Sequence, residues 1–162
     1  MEQNHPMRRK DRALSQEDTM ELLAKGEWGM LATADAEGAP LATPLSYVML
    51  EDVVYFHCAK QGHKMDNLAA QKNVCFCVVG ETQPVYDGNP TTYYESVMVH
   101  GTAFAVEDEG EKRRILLALC EKYLPQHMEQ SAQAMEKSIG VTAVVGIRPR
   151  QVTGKGKRKM PG

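Results

Sequence analysis

The sequence predicts a mainly β fold with flanking helices, in which about six antiparallel strands roll into a small barrel. Three observations predict it. Apolar runs of strand length follow one another across short polar turns, the pattern of hairpins and not of crossover connections. One run, VCFCVV at 74–79, is apolar at every position and so belongs inside the sheet. Helical spacing of apolar residues occurs only at the start, middle and end of the chain, so helices flank the strands instead of alternating with them.

The elements follow in order. Ser15 reads as an N-cap with Glu17 and Asp18 in the first turn; Met20, Leu22 and Leu23 form an apolar stripe, and Gly26 stops the helix. Residues 28–34 (WGMLATA) read as a strand, 35–38 as its turn, and 41–50 (LATPLSYVML) as a second strand. Pro44 has no N–H for a ladder, which puts it at an edge or a bulge. Glu51 and Asp52 turn the chain into 53–58 (VVYFHC), completing a three-stranded meander. A short helix, HKMDNLAA, covers 63–70; the central strand 74–79 follows, and then a loop over 80–90 rich in Gly, Pro, Asn and Asp. The long strand 91–106 bends or bulges at Gly101. Acids at 107–111 open a helix carrying Ile115, Leu116, Leu119 and Tyr123 on one face, which Pro125 ends. A weaker helix at 127–139 precedes a last strand at 142–147. The chain reads as one domain, 1–162, with basic tails at 1–12 and 156–162. A barrel this small fills its interior with side chains, so a ligand belongs on its outer wall or between two subunits.

With 162 residues, 43% of them apolar and 25% charged, the chain can bury a core, and its composition excludes disorder, collagen-like repeats and coiled coils. No apolar run approaches a membrane span, and the basic N-terminus has no apolar stretch behind it, so the expectation is a cytoplasmic protein with no membrane partner. Its four cysteines then read as reduced thiols. The net charge of −2 conceals an asymmetry. Arg8, Arg9, Lys10 and Arg12 make the start basic; Arg148, Arg150, Lys155, Lys157, Arg158 and Lys159 make the end basic; the body between them is strongly acidic. Basic ends can be arms for nucleic acid, but an acidic body repels phosphate backbones and no aromatic platform accompanies them. Tails that pack across the acidic body or a second subunit are the preferred reading.

The chemistry concentrates in YFHCAKQGHK, 55–64. A strand ends, Gly62 permits close backbone approach, and a helix begins with free N–H groups among Lys60, His63 and Lys64. Such a start suits an anion, most simply a phosphate; a solvated helix terminus has the same composition. Ser46 and His57 are polar residues within apolar strands, the local inconsistency found at functional sites. His57 and Cys58 alternate, so only one of them can face a given side. Cys75 and Cys77 share a strand face without disulfide or CxxC spacing and read as core thiols, as Tyr93 and Tyr94 read as core packing.

The run PLSYVMLEDVVYFHCAKQGHKMDNL, with YYESVMVHG, TGK at 153–155 and MRRKDRALS at 7–15, resembles the FMN-binding split-barrel family related to pyridoxamine 5′-phosphate oxidase, in its nitroimidazole-resistance branch. The resemblance implies a split barrel that binds FMN at the interface of a homodimer. It places the isoalloxazine ring along Pro44, Leu45, Ser46 and Tyr47, and the ribityl chain along His57, Cys58 and Ala59. The phosphate falls to His63 and Lys64, with Lys60 nearby; Ser96 reaches the flavin or its phosphate; Thr153 and Lys155 reach the flavin of the partner subunit. His63 stands where the oxidases carry arginine, a weaker phosphate partner. His57 becomes the residue beside flavin or substrate, in the catalytic position. The implied activity is electron transfer from a reduced nicotinamide to a small acceptor, nitroaromatic compounds included. The alternative is flavin or haem binding without turnover. Oxidation of pyridoxamine 5′-phosphate itself is not expected: the family's substrate-phosphate clamp uses arginine- and tryptophan-containing segments near the C-terminus. Here the sole tryptophan is Trp28, and the glycine-rich end reads as too flexible to form a clamp.

Overall fold

A computed structural model describes residues 6–158. Its strands are β1 (Gly29–Ala34), β2 (Pro40–Leu45), β3 (Val48–Leu50), β4 (Val53–Ala59), β5 (Asn73–Tyr86), β6 (Pro90–Ala105) and β7 (Thr142–Lys157). Its helices are α1 (Gln16–Lys25), α2 (His63–Ala70), α3 (Glu109–Tyr123) and α4 (Met128–Ser138). The strands form one antiparallel sheet ordered β2-β1-β5-β6-β7-β4-β3.

The edge strands β2 and β3 are separated in sequence only by Ser46 and Tyr47. Three peptide steps span at most about 11 Å, so the two edges meet and the sheet curls into a split barrel. The strand expected over 41–50 is therefore broken. Its first half pairs with β1 and its second with β4, so the expected meander is split across the seam of the barrel. Counted as one bent strand, β2 and β3 restore the expected six. Pro44 lies opposite Met30 on the edge strand β2, where its missing N–H costs no ladder bond. Glu51 and Asp52 both take positive φ, 51° and 62°, as a two-residue hairpin of the mirror-image type requires.

Three segments extend beyond their sequence reading. The loop expected at 80–90 is instead a two-stranded ribbon, because β5 runs on past a bulge between Val79 and Thr82 and pairs with the start of β6. The last strand does not end at Ile147; β7 continues to Lys157, paired with β6 to Tyr94. Gly154 and Gly156 of its basic end are strand residues and not flexible spacers. A Cβ on Gly154 would overlap the Thr19 side chain of α1 and press on Leu14, so glycine is what lets the amino-terminal segment lie flat on the strand. The basic start is ordered too: Lys10–Arg12 form a 3₁₀ turn, Ala13 bridges Lys155, and the Leu14 N–H donates to the Gly154 carbonyl at 3.1 Å. Residues 1–5 and 159–162 of the expected tails lie outside the described residues.

The barrel interior is filled by alternate strand residues, among them Leu31, Val54, Phe56, Phe76, Val97 and Ile147. A second apolar layer, built on Ile115, Leu116 and Leu119 of α3, packs over Val48, Tyr55 and Val144. α1 has its expected Ser15 cap, whose Oγ accepts from the Asp18 N–H at 3.0 Å. Among the described residues, no helix is long and apolar enough to cross a membrane. β5 departs from its expected full burial. Val74, Phe76 and Val78 point inward, but Cys75 and Cys77 are only half-buried and Val79 is 52% exposed, because no described residue fully covers the outer face of the strand. Cys75 and Cys77 are therefore half-buried thiols and not the expected core thiols, while Cys58 on β4 packs against the core; all four cysteines are free.

Candidate functional site

β4 ends at Ala59, and the chain turns through Lys60, Gln61 and Gly62 into α2. Gly62 has φ 122°, a conformation that favours glycine, and nothing lies within 4 Å of where its Cβ would stand. It caps α2 without a side chain: the amides of Met65 and Asp66 donate to its carbonyl at 2.8 and 3.0 Å, while those of His63 and Lys64 have no backbone acceptor among the described residues. The helix is anchored on β1 by a buried bond that sequence reasoning missed, Asn67 Nδ2 donating to Thr33 Oγ1 at 3.0 Å. A polar residue on the inner face of an amphipathic helix was the available signal.

The cations at this start differ in what they do. Lys64 is half-buried, with Nζ 5.9 Å from the centroid of the Phe56 ring, and no carboxylate among the described residues pairs with it. His63 is exposed. Lys60 turns away, donating to the Gly140 carbonyl at 2.5 Å and tying the turn to 139–141. The strand alternation at 57–58 is resolved. His57 points outward, where desolvation by the surrounding chain and then the Lys64 charge lower its pKa, so its imidazole is neutral at neutral pH. Cys58 points toward α2, its thiol donating to Met65 Sδ at 3.6 Å, and burial raises its pKa. Ala59 is exposed beside them.

The β3–β4 ladder stops at Val48 opposite Tyr55; two positions beyond on each strand stand Ser46 and His57, both exposed. Pro44 is exposed on the same stretch of edge, and Leu45 packs on the core. Tyr47 departs from its neighbours. Its ring is fully buried and its Oη donates to the Leu23 carbonyl at 2.5 Å, while the Tyr123 hydroxyl engages both its N–H and its carbonyl. Tyr47 therefore has no unbonded backbone group to offer a ligand.

Ser96, Thr153 and Lys155 form a separate group on β6 and β7. Ser96 and Lys155 are register partners, Thr153 is opposite Met98, and Ser96 Oγ lies 3.5 Å from the Lys155 carbonyl. On β7, Val144 marks the level of His57, and Lys155 lies eleven residues further on. That is about 35 Å of strand, so one chain does not bring the two groups together.

An antiparallel sheet closed by a two-residue crossing, with an open cationic helix start at its rim, defines a split-barrel protein. The pyridoxamine 5′-phosphate oxidase family model matches residues 15–156, and the chain belongs to that family. Among curated proteins none matches. Similar solved structures include a candidate 5-nitroimidazole antibiotic resistance protein from Bacteroides thetaiotaomicron, 23% identical, with a TM-score of 0.77 over 89% of this chain and 86% of that one. The flavocytochrome Anf3 from Azotobacter vinelandii is also 23% identical, with a TM-score of 0.82 over 100% of this chain and 77% of the other. The haem storage protein HutZ from Vibrio cholerae is 15% identical, with a TM-score of 0.63 over 86% and 94%. At these identities the likeness is one of fold.

Proposed function

We propose that this protein, acting as a single domain, binds FMN and passes electrons from a reduced nicotinamide to a small acceptor, nitroaromatic compounds among them, as a homodimer with flavin at the subunit interface. The open start of α2 carries the reading: two unengaged amides, the uncompensated charge of Lys64 and the clear space at Gly62 suit a phosphate monoester. Lys64 supplies the point charge there and His63 a weaker donor. Lys60 positions the turn through Gly140 instead of reaching the anion. Pro44, Leu45 and Ser46 offer an edge against which a flat ring can lie, next to His57, Cys58 and Ala59. A bound flavin would supply the hydride chemistry, so the chain needs no nucleophile of its own. His57, kept neutral, can accept a proton at its free imidazole nitrogen and is the proposed catalytic residue.

The dimer is supported by the outer face of the sheet, where Val79 and Met98 are 52% and 45% exposed beside Thr153. A second copy covering that face would bring Ser96, Thr153 and Lys155 toward a flavin that their own chain cannot present to them. The expected location is the cytoplasm.

A haem- or flavin-storing protein is the second reading. It is supported by the likeness in fold to a flavocytochrome and a haem storage protein, and by a neutral, exposed imidazole at His57 able to ligate iron. Denaturing the purified protein and weighing what it releases separates the readings. FMN, with anaerobic bleaching by NADH or NADPH, supports the oxidoreductase. A Soret band, or a yellow protein that never bleaches, supports storage; a colourless protein removes both.

A further inference from the structure

The two basic ends of the chain meet. The 3₁₀ turn before α1 lies on the far end of β7, and between it and the β5–β6 ribbon opens a cavity of about 300 Å³ lined by Arg8, Arg9, Arg12, Thr91, Tyr94 and Lys155, among others. Lys157 and Thr92 complete the wall. Five cations thus surround one concavity, and two carboxylates offset them. Asp11 accepts from Arg9 Nε at 2.7 Å and lies 3.5 Å from Arg12 Nε, and Asp87 lies 3.2 Å from Lys157 Nζ. Arg8 and Lys155 form no ion pair with a described residue. Lys157 also donates to Thr91 Oγ1 at 2.8 Å, so its charge is held at the wall. The Ala13–Lys155 bridge and the Leu14–Gly154 bond hold the arginine-bearing segment to the strand before any ligand arrives.

We infer that this cavity is a second anion site, taking a small phosphorylated molecule of nucleotide or sugar-phosphate size. Its volume is at the lower end of small-molecule sites. Guanidinium forks match phosphate oxygens bidentately, and the threonine hydroxyls donate to the same oxygens. A cationic hollow on an otherwise acidic body also draws such an anion in from solution. The site lies apart from this chain's own α2 start and does not rest on the flavin reading, although it shares Lys155 with the surface proposed to reach the partner's flavin.

The test is isothermal titration calorimetry of the protein as purified, with inorganic pyrophosphate and with adenosine 5′-monophosphate. Saturable binding, one molecule per chain, is expected for at least one probe. It should weaken at least tenfold in the Arg8→Gln, Arg12→Gln double variant and stay unchanged in Lys64→Ala, which alters only the proposed flavin site. Lys155 is left intact because it also stands in that site. Arg8→Gln alone removes an exposed charge that pairs with no described residue; it should weaken binding severalfold with an unchanged thermal unfolding curve. No saturable heat, equal binding by the arginine variants, or release of a bound flavin by pyrophosphate would overturn the proposal, the last by making this the flavin's own phosphate site.

Discussion

The Tyr123 hydroxyl stands 3.0 Å from the backbone nitrogen of Tyr47 and 3.0 Å from its carbonyl oxygen, joining the end of α3 to the two-residue crossing that closes the barrel. It accepts from the Tyr47 N–H and shares its single proton between the Tyr47 carbonyl and the Glu27 carbonyl, the latter at 2.6 Å. One side chain thus satisfies backbone groups that the break between β2 and β3 removes from the ladder.

Tyr123→Phe should therefore destabilise the fold by about 1–3 kcal/mol, the usual cost of leaving buried partners unsatisfied. Urea unfolding of the two proteins measures it. A variant as stable as the parent would show that water replaces the hydroxyl.

Lys122, next to it, lies with Nζ 3.9 Å from the centroid of the Tyr47 ring and donates to the Gly26 carbonyl at 2.7 Å. Burial lowers its pKa from 10.5 to about 8. Between those values the unfolded chain holds a proton that the folded chain has released, so this group's contribution to stability rises with pH across that window and is flat below it. The urea midpoint should increase from about pH 7.5 to about pH 9.5 by more in the parent than in Lys122→Met, given the folded and unfolded lysine values. Parallel pH dependence in the two would remove the assignment.

At the start of α2, Lys64→Ala should weaken FMN binding roughly ten- to a hundredfold, the value of one charge-assisted contact to a phosphate. Fluorescence titration of the flavin-free protein reads it directly. Lys60→Ala should have a much smaller effect, since Lys60 is engaged with Gly140. Equal losses in both would place the phosphate elsewhere.

For His57→Ala the expectation is a protein that keeps its flavin while acceptor reduction falls on the order of a hundredfold, the scale of a lost proton-transfer group. The pH–rate profile should also lose its limb below the ordinary histidine range, because the His57 pKa is lowered. Loss of folded protein with normal turnover in the remainder would make His57 structural.

What is local was legible in the sequence. The Ser15 cap, the edge position of Pro44, the turn at Glu51 and Asp52, the bulge at Gly101 and the cationic start of α2 each depend on residues within one or two turns of chain, and on chemistry that those residues carry wherever the chain goes. The candidate site was legible to the same depth: GHK marks an anion-ready helix start. That His57 faces outward while Cys58 turns to Met65, and that Lys60 is taken by Gly140, was not. Those outcomes depend on elements brought alongside by the fold. Only the tertiary structure decided where 41–50 breaks, that the polar stretch 80–86 is strand, and that the basic stretch 148–157 continues the last strand. A strand is completed by its partner's hydrogen bonds more than by its own propensity, and the partner of each of these segments lies elsewhere in the chain. The meeting of Arg8, Arg12 and Lys155 around one cavity is of the same kind. Both ends were visibly basic in the sequence, but close packing of Thr19 and Leu14 against Gly154 is what placed them side by side.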